Sequence, residues 1–311
     1  WVIMEHYRLT GDKDYLATLP ETVGRWPIRC ERNRRNPLLL LELLRALRSC
    51  NCDIIHAQAN KAATLIASIR HWLPCPTVGT VHNIKRNNRP FQHLDHVIAV
   101  SRQLAQPFQK PQVSVVYNGI AEPRFEKTDL KARLGLPADR PLLFAAGRLV
   151  RAKGFDVLLD AVDGLPLSLI IAGEGPDRPD LEQRVKHLRP ETQCRLLGYR
   201  TDIPTLMASS DAAIISSRRE GFSYVFSEAI LTGTRILATD VPVANEVLPA
   251  ELIVPVENAV ALRERLKGLI TNPNAWTDLM TEPQAFSREN MTVKAMAEKT
   301  IAVYKRVCAD E

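Results

Sequence analysis

Residues 211–231 read DAAIISSRREGFSYVFSEAIL and decide the fold class, because a polar loop with one glycine joins a short apolar run to a second apolar segment. The run 211–216 predicts a buried strand, and the segment 225–231 predicts a helix. A strand followed directly by a helix is the unit of an α/β fold with a parallel sheet. Glu220 then lies in the loop after the strand and Glu228 inside the helix, so both carboxylates can face one crevice. On this spacing alone, two unrelated surface glutamates remain the alternative.

Alternation of strands and helices continues on both sides of this stretch. In the first part of the chain, strands are predicted at 53–57, 77–81, 96–100 and 113–117, and helices at 37–48, 61–72 and 101–108. After the turn 118–120 the pattern restarts, with strands at 142–146, 168–172, 195–197, 212–215, 235–238 and 252–254, and helices at 155–162, 181–188 and 203–208. The fold class is therefore α/β, with two Rossmann-like, doubly wound parallel-sheet domains and a cleft between them.

The composition is that of an ordinary globular protein rather than of a fibrous or membrane-spanning one. The chain has 311 residues, of which 45% are hydrophobic and 24% charged, and this length favours two domains. No apolar run approaches the roughly 20 residues that span a bilayer. The six cysteines are scattered without metal-binding spacing, which predicts reduced thiols, and the chain does not open on a signal peptide. We therefore expect a cytoplasmic protein.

The positive charge lies entirely in the first part of the chain. Residues 1–120 carry 16 Lys and Arg against 8 Asp and Glu, whereas the remainder carries 25 against 27. Such a basic region favours an anionic partner, such as a phosphorylated glycolipid or the inner face of the cytoplasmic membrane, although a solvated basic face is the alternative. Nucleic acid is not expected, because no recognition motif accompanies the charge.

Two loops after strands of the second part carry residues suited to phosphate. Arg148 follows the strand 142–146, Lys153 precedes the next helix, and Gly173 begins GEGP after the strand 168–172. A guanidinium, an ammonium and helix amides together can hold a diphosphate, although ordinary surface cations and a plain turn are the alternatives. Neither GxxxxGK[ST] nor GxGxxG occurs, which disfavours a P-loop nucleotidase and an NAD enzyme.

The ordered motifs resemble those of the retaining, nucleotide-sugar-dependent glycosyltransferases of family 4. The resemblance rests on GRLVRAKG, LIIAGEGPDRPDLE and the segment LLGYRTDIPTLMASSDAAIISSRREGFSYVFSEAILTGTRILATDVP, together with DIIHAQANKAA, TVGTVHN, DHVIAVSRQLA and VVYNGI in the first part and AFSRENMTVKAMAEKTIAVYKR at the end. Each motif is weak, but their order and spacing are specific. The resemblance implies the GT-B fold, with the donor on the C-terminal domain and the acceptor mainly on the N-terminal one.

Roles for individual residues follow from the resemblance alone. It implies that Arg148 and Lys153 bind the donor diphosphate, that Glu228 binds the ribose, and that Glu220 and His82 approach the sugar. The implied catalytic residues are Glu220, His82, Arg148 and Lys153. The implied donor-binding residues are Arg148, Lys153, Gly173, Tyr199, Arg200, Gly221, Phe222, Ser223, Tyr224 and Glu228. Because two cations can stabilise the leaving diphosphate, we expect neither a metal nor a resident cofactor.

The predicted reaction moves a hexose or N-acetylhexosamine from a nucleoside diphosphate sugar, UDP-linked by preference, to a glycan or glycolipid. A lipopolysaccharide core or a polysaccharide intermediate is the expected acceptor. The loop 84–92, with Lys85, Arg86 and Arg89, is the candidate acceptor site, and a solvated loop is the alternative. A nucleotide-sugar epimerase and a non-catalytic nucleotide-sugar-binding protein remain open.

The resemblance also implies domain boundaries, and the sequence differs from the family pattern at two places. The N-terminal domain should span 1–122, completed by a C-terminal helix at about 288–311, and the donor domain should span 123–287. Since the sequence opens on a segment that resembles the second strand of relatives, we expect that their first strand and glycine-rich loop either lie outside this sequence or have been lost. Ser223 replaces a glycine of the family motif EGFG, and we expect it to affect sugar preference.

Overall fold

Regular structure follows the predicted alternation closely in this computed structural model, which describes residues 2–4, 25–27, 36–83, 88–108 and 112–309. The strands are β1 (Val2–Met4), β2 (Arg25–Pro27), β3 (Ile55–Gln58), β4 (Thr77–Val81), β5 (His96–Ala99), β6 (Val113–Val115), β7 (Leu142–Ala146), β8 (Leu167–Ala172), β9 (Thr192–Gly198), β10 (Ala212–Ile215), β11 (Arg235–Thr239) and β12 (Ile253–Val254). All strands predicted from 53 onward are confirmed, with small shifts at their ends.

The helices of the described residues fill the connections between these strands. They are α1 (Pro37–Ser49), α2 (Ala59–Ile69), α3 (Arg89–Gln92), α4 (Arg102–Ala105), α5 (Leu130–Leu134), α6 (Phe155–Val162), α7 (Arg178–Lys186), α8 (Ile203–Ala208), α9 (Tyr224–Leu231), α10 (Ala244–Val247), α11 (Ala259–Thr271), α12 (Pro273–Leu279), α13 (Thr281–Asn290) and α14 (Val293–Ala309). None of them combines the length and the apolarity that crossing a bilayer requires.

Two helices differ from their predicted bounds because of prolines. The helix expected at 101–108 is only Arg102–Ala105, since Pro107 disfavours helical backbone at the residue before it. The helix expected at 181–188 instead begins at Arg178, because Pro179 fits the first turn, where its missing N–H leaves no bond unmade.

The chain divides into two compact units. The first unit contains residues 1–100, 104–115 and 300–311, and the second contains 101–103 and 116–299. In the first unit, β3, β4, β5 and β6 form a parallel sheet in sequence order, and β1 pairs with β2 in a separate parallel ribbon.

In the second unit, six parallel strands form one sheet in the order β12-β11-β10-β7-β8-β9. The chain runs outward from β7 through β8 to β9, returns to β10 on the other side of β7, and runs outward again. Because right-handed crossovers in opposite directions place helices on opposite faces, the sheet is doubly wound. Burial agrees, since the side chains of Leu142, Leu143, Phe144 and Ala145 on the central β7 are all fully buried.

Candidate functional site

The order of strands in the second unit defines where a ligand crevice is expected. The order reverses between β7 and β10, which are hydrogen-bonded neighbours. In open parallel sheets, ligands bind beyond the carboxyl ends of the strands at such a reversal. The loop after β7 carries Lys153 and the loop after β10 carries Glu220, so the reversal places these two predicted residues side by side.

Lys153 and Glu220 form an ion pair at this position. The Lys153 Nζ donates to Glu220 Oε1 at 2.5 Å, and the Ser217 hydroxyl donates to the same oxygen at 2.7 Å. The side chains are only 22% and 9% exposed, respectively. A charge pair sheltered from water is less screened than a surface pair. The structure thus joins two residues for which the sequence implied separate contacts, one with phosphate and one with sugar.

The backbone of Lys153 is held by the end of strand β10. The Ser216 hydroxyl donates to the Lys153 carbonyl at 2.9 Å. Gly154, which precedes α6, has φ +65°, and a Cβ there would lie 2.1 Å from the Ser216 carbonyl oxygen. Only glycine fits this approach, because it has no Cβ and tolerates a positive φ. The hydrogen bond and the close backbone approach therefore hold the loops after β7 and β10 together next to the ion pair.

A second close approach brings together the loops after β7 and β8. Gly173 has φ +148°, and a Cβ there would lie 1.9 Å from the Gly147 carbonyl oxygen. The Gly173 amide donates to the Gly198 carbonyl at 2.8 Å, which adds the end of β9 to the same cluster of loops. Gly173 thus has a structural requirement for glycine, and its role in donor binding stays a prediction.

Arg148 is exposed at the start of the loop after β7. Its side chain forms no hydrogen bond or ion pair with the residues that the structure describes. The structure therefore separates the two cations that the sequence treats alike, since Lys153 is engaged by Glu220 whereas the guanidinium of Arg148 faces solvent. Its role in binding a diphosphate stays a prediction.

Helix α9 begins beside the ion pair. Ser223, whose residue is 2% exposed, is its N-cap and accepts from the Phe226 amide at 3.3 Å. Ser223 also lines a small pocket with Lys153, Glu220 and Ser217. A serine at the glycine position of the motif therefore turns its side chain back onto the helix, where a glycine would leave the amide without this partner.

The rest of the motif surrounds the start of the same helix. Gly221 and Phe222 precede the cap, and the rings of Phe222 and Tyr224 meet edge to face with their centroids 5.3 Å apart. Glu228 lies half-buried one turn further along α9, and burial raises its pKa above the usual range of a glutamate. A carboxylate that is partly withdrawn from water is suited to accept hydrogen bonds from a ligand hydroxyl.

Tyr199 and Arg200 follow β9 directly. The Tyr199 side chain is 77% exposed, so its ring is open to a planar ligand. Arg200 is not open in this way, because its guanidinium binds both carboxylate oxygens of Asp202, at 2.6 and 2.8 Å. Donor binding by these two residues stays a prediction, and the two side chains differ, because the Tyr199 ring is exposed whereas the Arg200 guanidinium is paired with Asp202.

Arg218 is a residue of the site region that the sequence analysis did not single out. Its guanidinium binds both carboxylate oxygens of Asp156 at 2.7 and 2.8 Å and Glu257 at 2.7 Å, and its own amide donates to the Ala152 carbonyl. The hydrogen bonds from Arg218 hold the pKa of Asp156 below its usual range. Arg218 thereby ties the loop after β10 to the segment around Lys153. No local signal distinguishes it from Arg219, since only the tertiary structure brings Asp156 and Glu257 to it.

In the first unit, His82 follows β4 and is half-buried. Its Nε2 lies 2.9 Å from the Oε1 of Gln58 at the end of β3, and burial lowers the pKa of His82. Of the candidate acceptor residues, Lys85 and Arg86 lie outside the described residues. Arg89 begins α3 and is exposed.

Within the described ranges, no group of three or more His, Cys, Asp or Glu side chains is arranged to hold a metal ion.

Comparison with known proteins gives matches over most of the chain. The family model described as Glycosyltransferase Family 4 matches residues 3–124, and the model described as Glycosyl transferases group 1 matches residues 126–286. Lipopolysaccharide core biosynthesis glycosyltransferase LpsE of Rhizobium meliloti is 26% identical over 207 residues, which are 65% of this chain and 60% of that protein. Lipopolysaccharide core biosynthesis mannosyltransferase LpsB of the same organism is 26% identical over 233 residues, 69% of this chain and 66% of that protein. The chain thus spans less than two thirds of the length of these relatives.

Solved structures resemble the fold over nearly the whole chain. Anabaena HepE, crystallised in complex with UDP, has a TM-score of 0.78 at 20% identity, covering 91% of this chain and 86% of that one. The lipopolysaccharide outer core galactosyltransferase WaaB has a TM-score of 0.76 at 14% identity, covering 92% and 85%. At these identities the likeness concerns the fold alone, and it confirms the predicted fold class of two α/β domains with parallel sheets.

Proposed function

This chain belongs to family 4 of the glycosyltransferases, and from that membership we propose that it transfers a sugar from a nucleoside diphosphate donor to a glycan or glycolipid acceptor. The sugar is a hexose or an N-acetylhexosamine, and its anomeric configuration is retained. A uridine donor is supported by the UDP and the UDP-glucose crystallised with HepE. An acceptor in a lipopolysaccharide core or a polysaccharide intermediate is supported by the names of LpsE and LpsB.

The observation that carries the proposal is the sheltered ion pair at the strand reversal. An ammonium group has three N–H donors, and Lys153 uses one of them for Glu220, so two remain for phosphate oxygens. Departure of the nucleoside diphosphate builds negative charge on the leaving oxygen, which a fixed cation stabilises. The exposed guanidinium of Arg148 can add a second, bidentate contact.

The remaining roles follow from family membership. Glu220 contacts the donor sugar, Glu228 binds the ribose, and the exposed Tyr199 ring stacks on the base. Because Arg148 and Lys153 supply the positive charge, we propose that the reaction needs no metal, and excess EDTA should leave the rate unchanged.

The basic residues of 1–120 favour a negatively charged acceptor, and the protein would act in the cytoplasm at the inner membrane face.

The proposed role of the ion pair is tested by substituting its two residues, with an exposed ion pair of the same unit as the control. Lys153→Met and Glu220→Gln remove one charge each from the site, and Lys267→Met and Glu264→Gln do the same to an exposed pair that is joined at 2.7 Å. We expect each site variant to lower the transfer rate about 100-fold or more, as removal of one charge-stabilising donor does in other enzymes. The control variants should stay within about twofold of the unchanged protein, since exposed pairs contribute little.

Donor binding and product analysis complete the experiment. UDP-, GDP- and ADP-sugars are screened for thermal stabilisation, because a true donor raises the melting temperature by mass action. The anomeric configuration of the product, determined by NMR, tests retention. Equal transfer rates for site and control variants would refute the site assignment. Product formed from the donor without any acceptor would identify an epimerase instead.

A further inference from the structure

Four polar side chains connect the C-terminal helix to His82 in the first unit. His56 on β3 lies with its Nδ1 against the Tyr304 hydroxyl of α14 and with its Nε2 at 2.6 Å from the Thr80 hydroxyl. The Gln58 Nε2 lies 3.3 Å from the same His56 Nε2, and the Gln58 Oε1 lies 2.9 Å from the His82 Nε2.

With the Gln58 amide oriented as the structure has it, counting donors and acceptors assigns the hydrogens in this network. Burial, with a smaller contribution from the nearby His82, lowers the pKa of His56 to about 4, so its ring is neutral near pH 7. A neutral imidazole has one N–H and one bare nitrogen. Gln58 presents an amide N–H₂ group to the His56 Nε2, so this nitrogen is the bare one. It accepts from Gln58 and from the Thr80 hydroxyl, and the His56 Nδ1–H donates to Tyr304.

The orientation of the Gln58 amide also determines which nitrogen of His82 carries the hydrogen. With its N–H₂ group directed at His56, the Gln58 amide presents its oxygen to the His82 Nε2. A carbonyl oxygen only accepts, so the His82 Nε2 must carry the hydrogen. The His82 Nδ1 is then the nitrogen with the free electron pair.

We propose that Gln58 is a positioning residue, which holds the hydrogen of His82 on Nε2 and leaves Nδ1 as the nitrogen that can accept a proton or a hydrogen bond from a substrate hydroxyl. This inference rests on the proposed function and on the role near the donor sugar that the family resemblance implies for His82. His56, Thr80 and Tyr304 support Gln58, because rotating its amide by half a turn would place its oxygen against the bare His56 Nε2. Such a rotation is stable only if His56 also moves its hydrogen to Nε2.

Two substitutions at Gln58 separate positioning from packing. Gln58 is exposed, so a change there leaves the core intact. Gln58→Met has a similar length but neither donor nor acceptor, and we expect His82 to become a mixture of its two neutral forms. Gln58→Glu keeps an acceptor for His82, so His82 should retain its hydrogen on Nε2. Because a carboxylate also accepts towards His56, His56 should transfer its own hydrogen to Nε2 in this variant.

The measurement is ¹⁵N NMR of histidine-labelled protein near pH 7, which distinguishes the two nitrogens of each ring without any substrate. Rates of sugar transfer are measured on the same samples, with Gln112→Met, another exposed glutamine of the first unit, as the matched control. We expect kcat to fall about tenfold or more in Gln58→Met, with KM for the donor nearly unchanged, because the wrong form of a histidine impairs proton transfer more than binding. Gln58→Glu should recover most of that loss, and the control should match the unchanged protein.

The outcomes separate this inference from the proposed function. A hydrogen on His82 Nδ1 in the unchanged protein, or an unaltered His82 spectrum in Gln58→Met, would overturn the positioning role whether or not sugar is transferred. The same holds if kcat of Gln58→Met equals that of the control while transfer is readily measured. A shifted His82 spectrum in a protein that transfers no sugar would support the arrangement of the rings and refute the proposed function instead.

Discussion

Acidification should destabilise this protein through His56, and the structure allows the size of the effect to be worked out. The His56 ring lies between Tyr304 and Thr80, where burial is the main cause that lowers its pKa from 6.5 to about 4. Since the folded protein binds the proton more weakly than the unfolded chain, folding is favoured by the neutral ring. This contribution is complete above pH 6.5, decreases as the pH falls towards 4, and is absent below that value.

The difference of about 2.5 pKa units corresponds to about 3 kcal/mol of unfolding free energy, at roughly 1.4 kcal/mol per unit. Between pH 7.5 and pH 4.5 the chain should lose about 2 kcal/mol of this amount, because protonation of the folded state begins near the lower limit. The free energy of unfolding is measured by urea denaturation at several pH values across this range. The slope against pH, rather than the absolute stability, reports all protons that the folded protein fails to bind, including that of His82, whose pKa is also lowered. A variant at position 56 therefore has to separate the contribution of His56.

His56→Asn removes the titrating ring, and His71→Asn, at an exposed histidine of the same unit, is the matched control for the loss of one imidazole. The His56 variant should lose about 2 kcal/mol less than the control over the same pH range, whatever its stability at pH 7.5. Parallel curves for the two variants would show that the His56 ring is not held neutral by its surroundings. The reasoning about burial in the first unit would then be wrong.

Substitutions at three further positions test the second unit. Gly173→Ala should lower the unfolding free energy by about 3 kcal/mol or more, seen in thermal denaturation, because its Cβ would lie 1.9 Å from the Gly147 carbonyl oxygen at a positive φ. Ser223→Ala should destabilise by about 1 kcal/mol through loss of the cap on the Phe226 amide, whereas Ser223→Gly should change the melting temperature only slightly. Glu228→Gln should be no less stable than the unchanged protein at pH 7, since burial raises the pKa of this carboxyl and disfavours its charge, yet calorimetry should show donor affinity at least about tenfold weaker. A melting temperature well below that of the unchanged protein would contradict the last prediction.

Local sequence patterns predicted most of the regular structure, because each pattern is produced by neighbouring residues. The apolar runs 142–146 and 212–215 became β7 and β10 with unchanged bounds. At Ala105 and Arg178, where helix ends differ from the predicted ones, a nearby proline explains the difference. Proline acts through its own ring and its missing N–H, so this information was also local.

The candidate site was predicted as residue types but not as contacts. The loops that carry Lys153 and Glu220 could be identified because both follow predicted strands. Their ion pair joins positions 67 residues apart, and it exists because β10 lies next to β7 rather than beyond β9. Strand order depends on how helices cover both faces of the sheet, which no local pattern specifies.

The sequence by itself determined a parallel α/β architecture and placed candidate residues at strand ends, because periodicity, glycine and proline act over a few neighbouring positions. The tertiary structure alone decided which of these residues meet. It paired Lys153 with Glu220, which had been assigned separate contacts, and left Arg148 exposed. It also brought His56 to Tyr304 across 248 positions of the chain. Such contacts depend on long-range packing, where burial sets both the geometry of a side chain and the charge that it can carry.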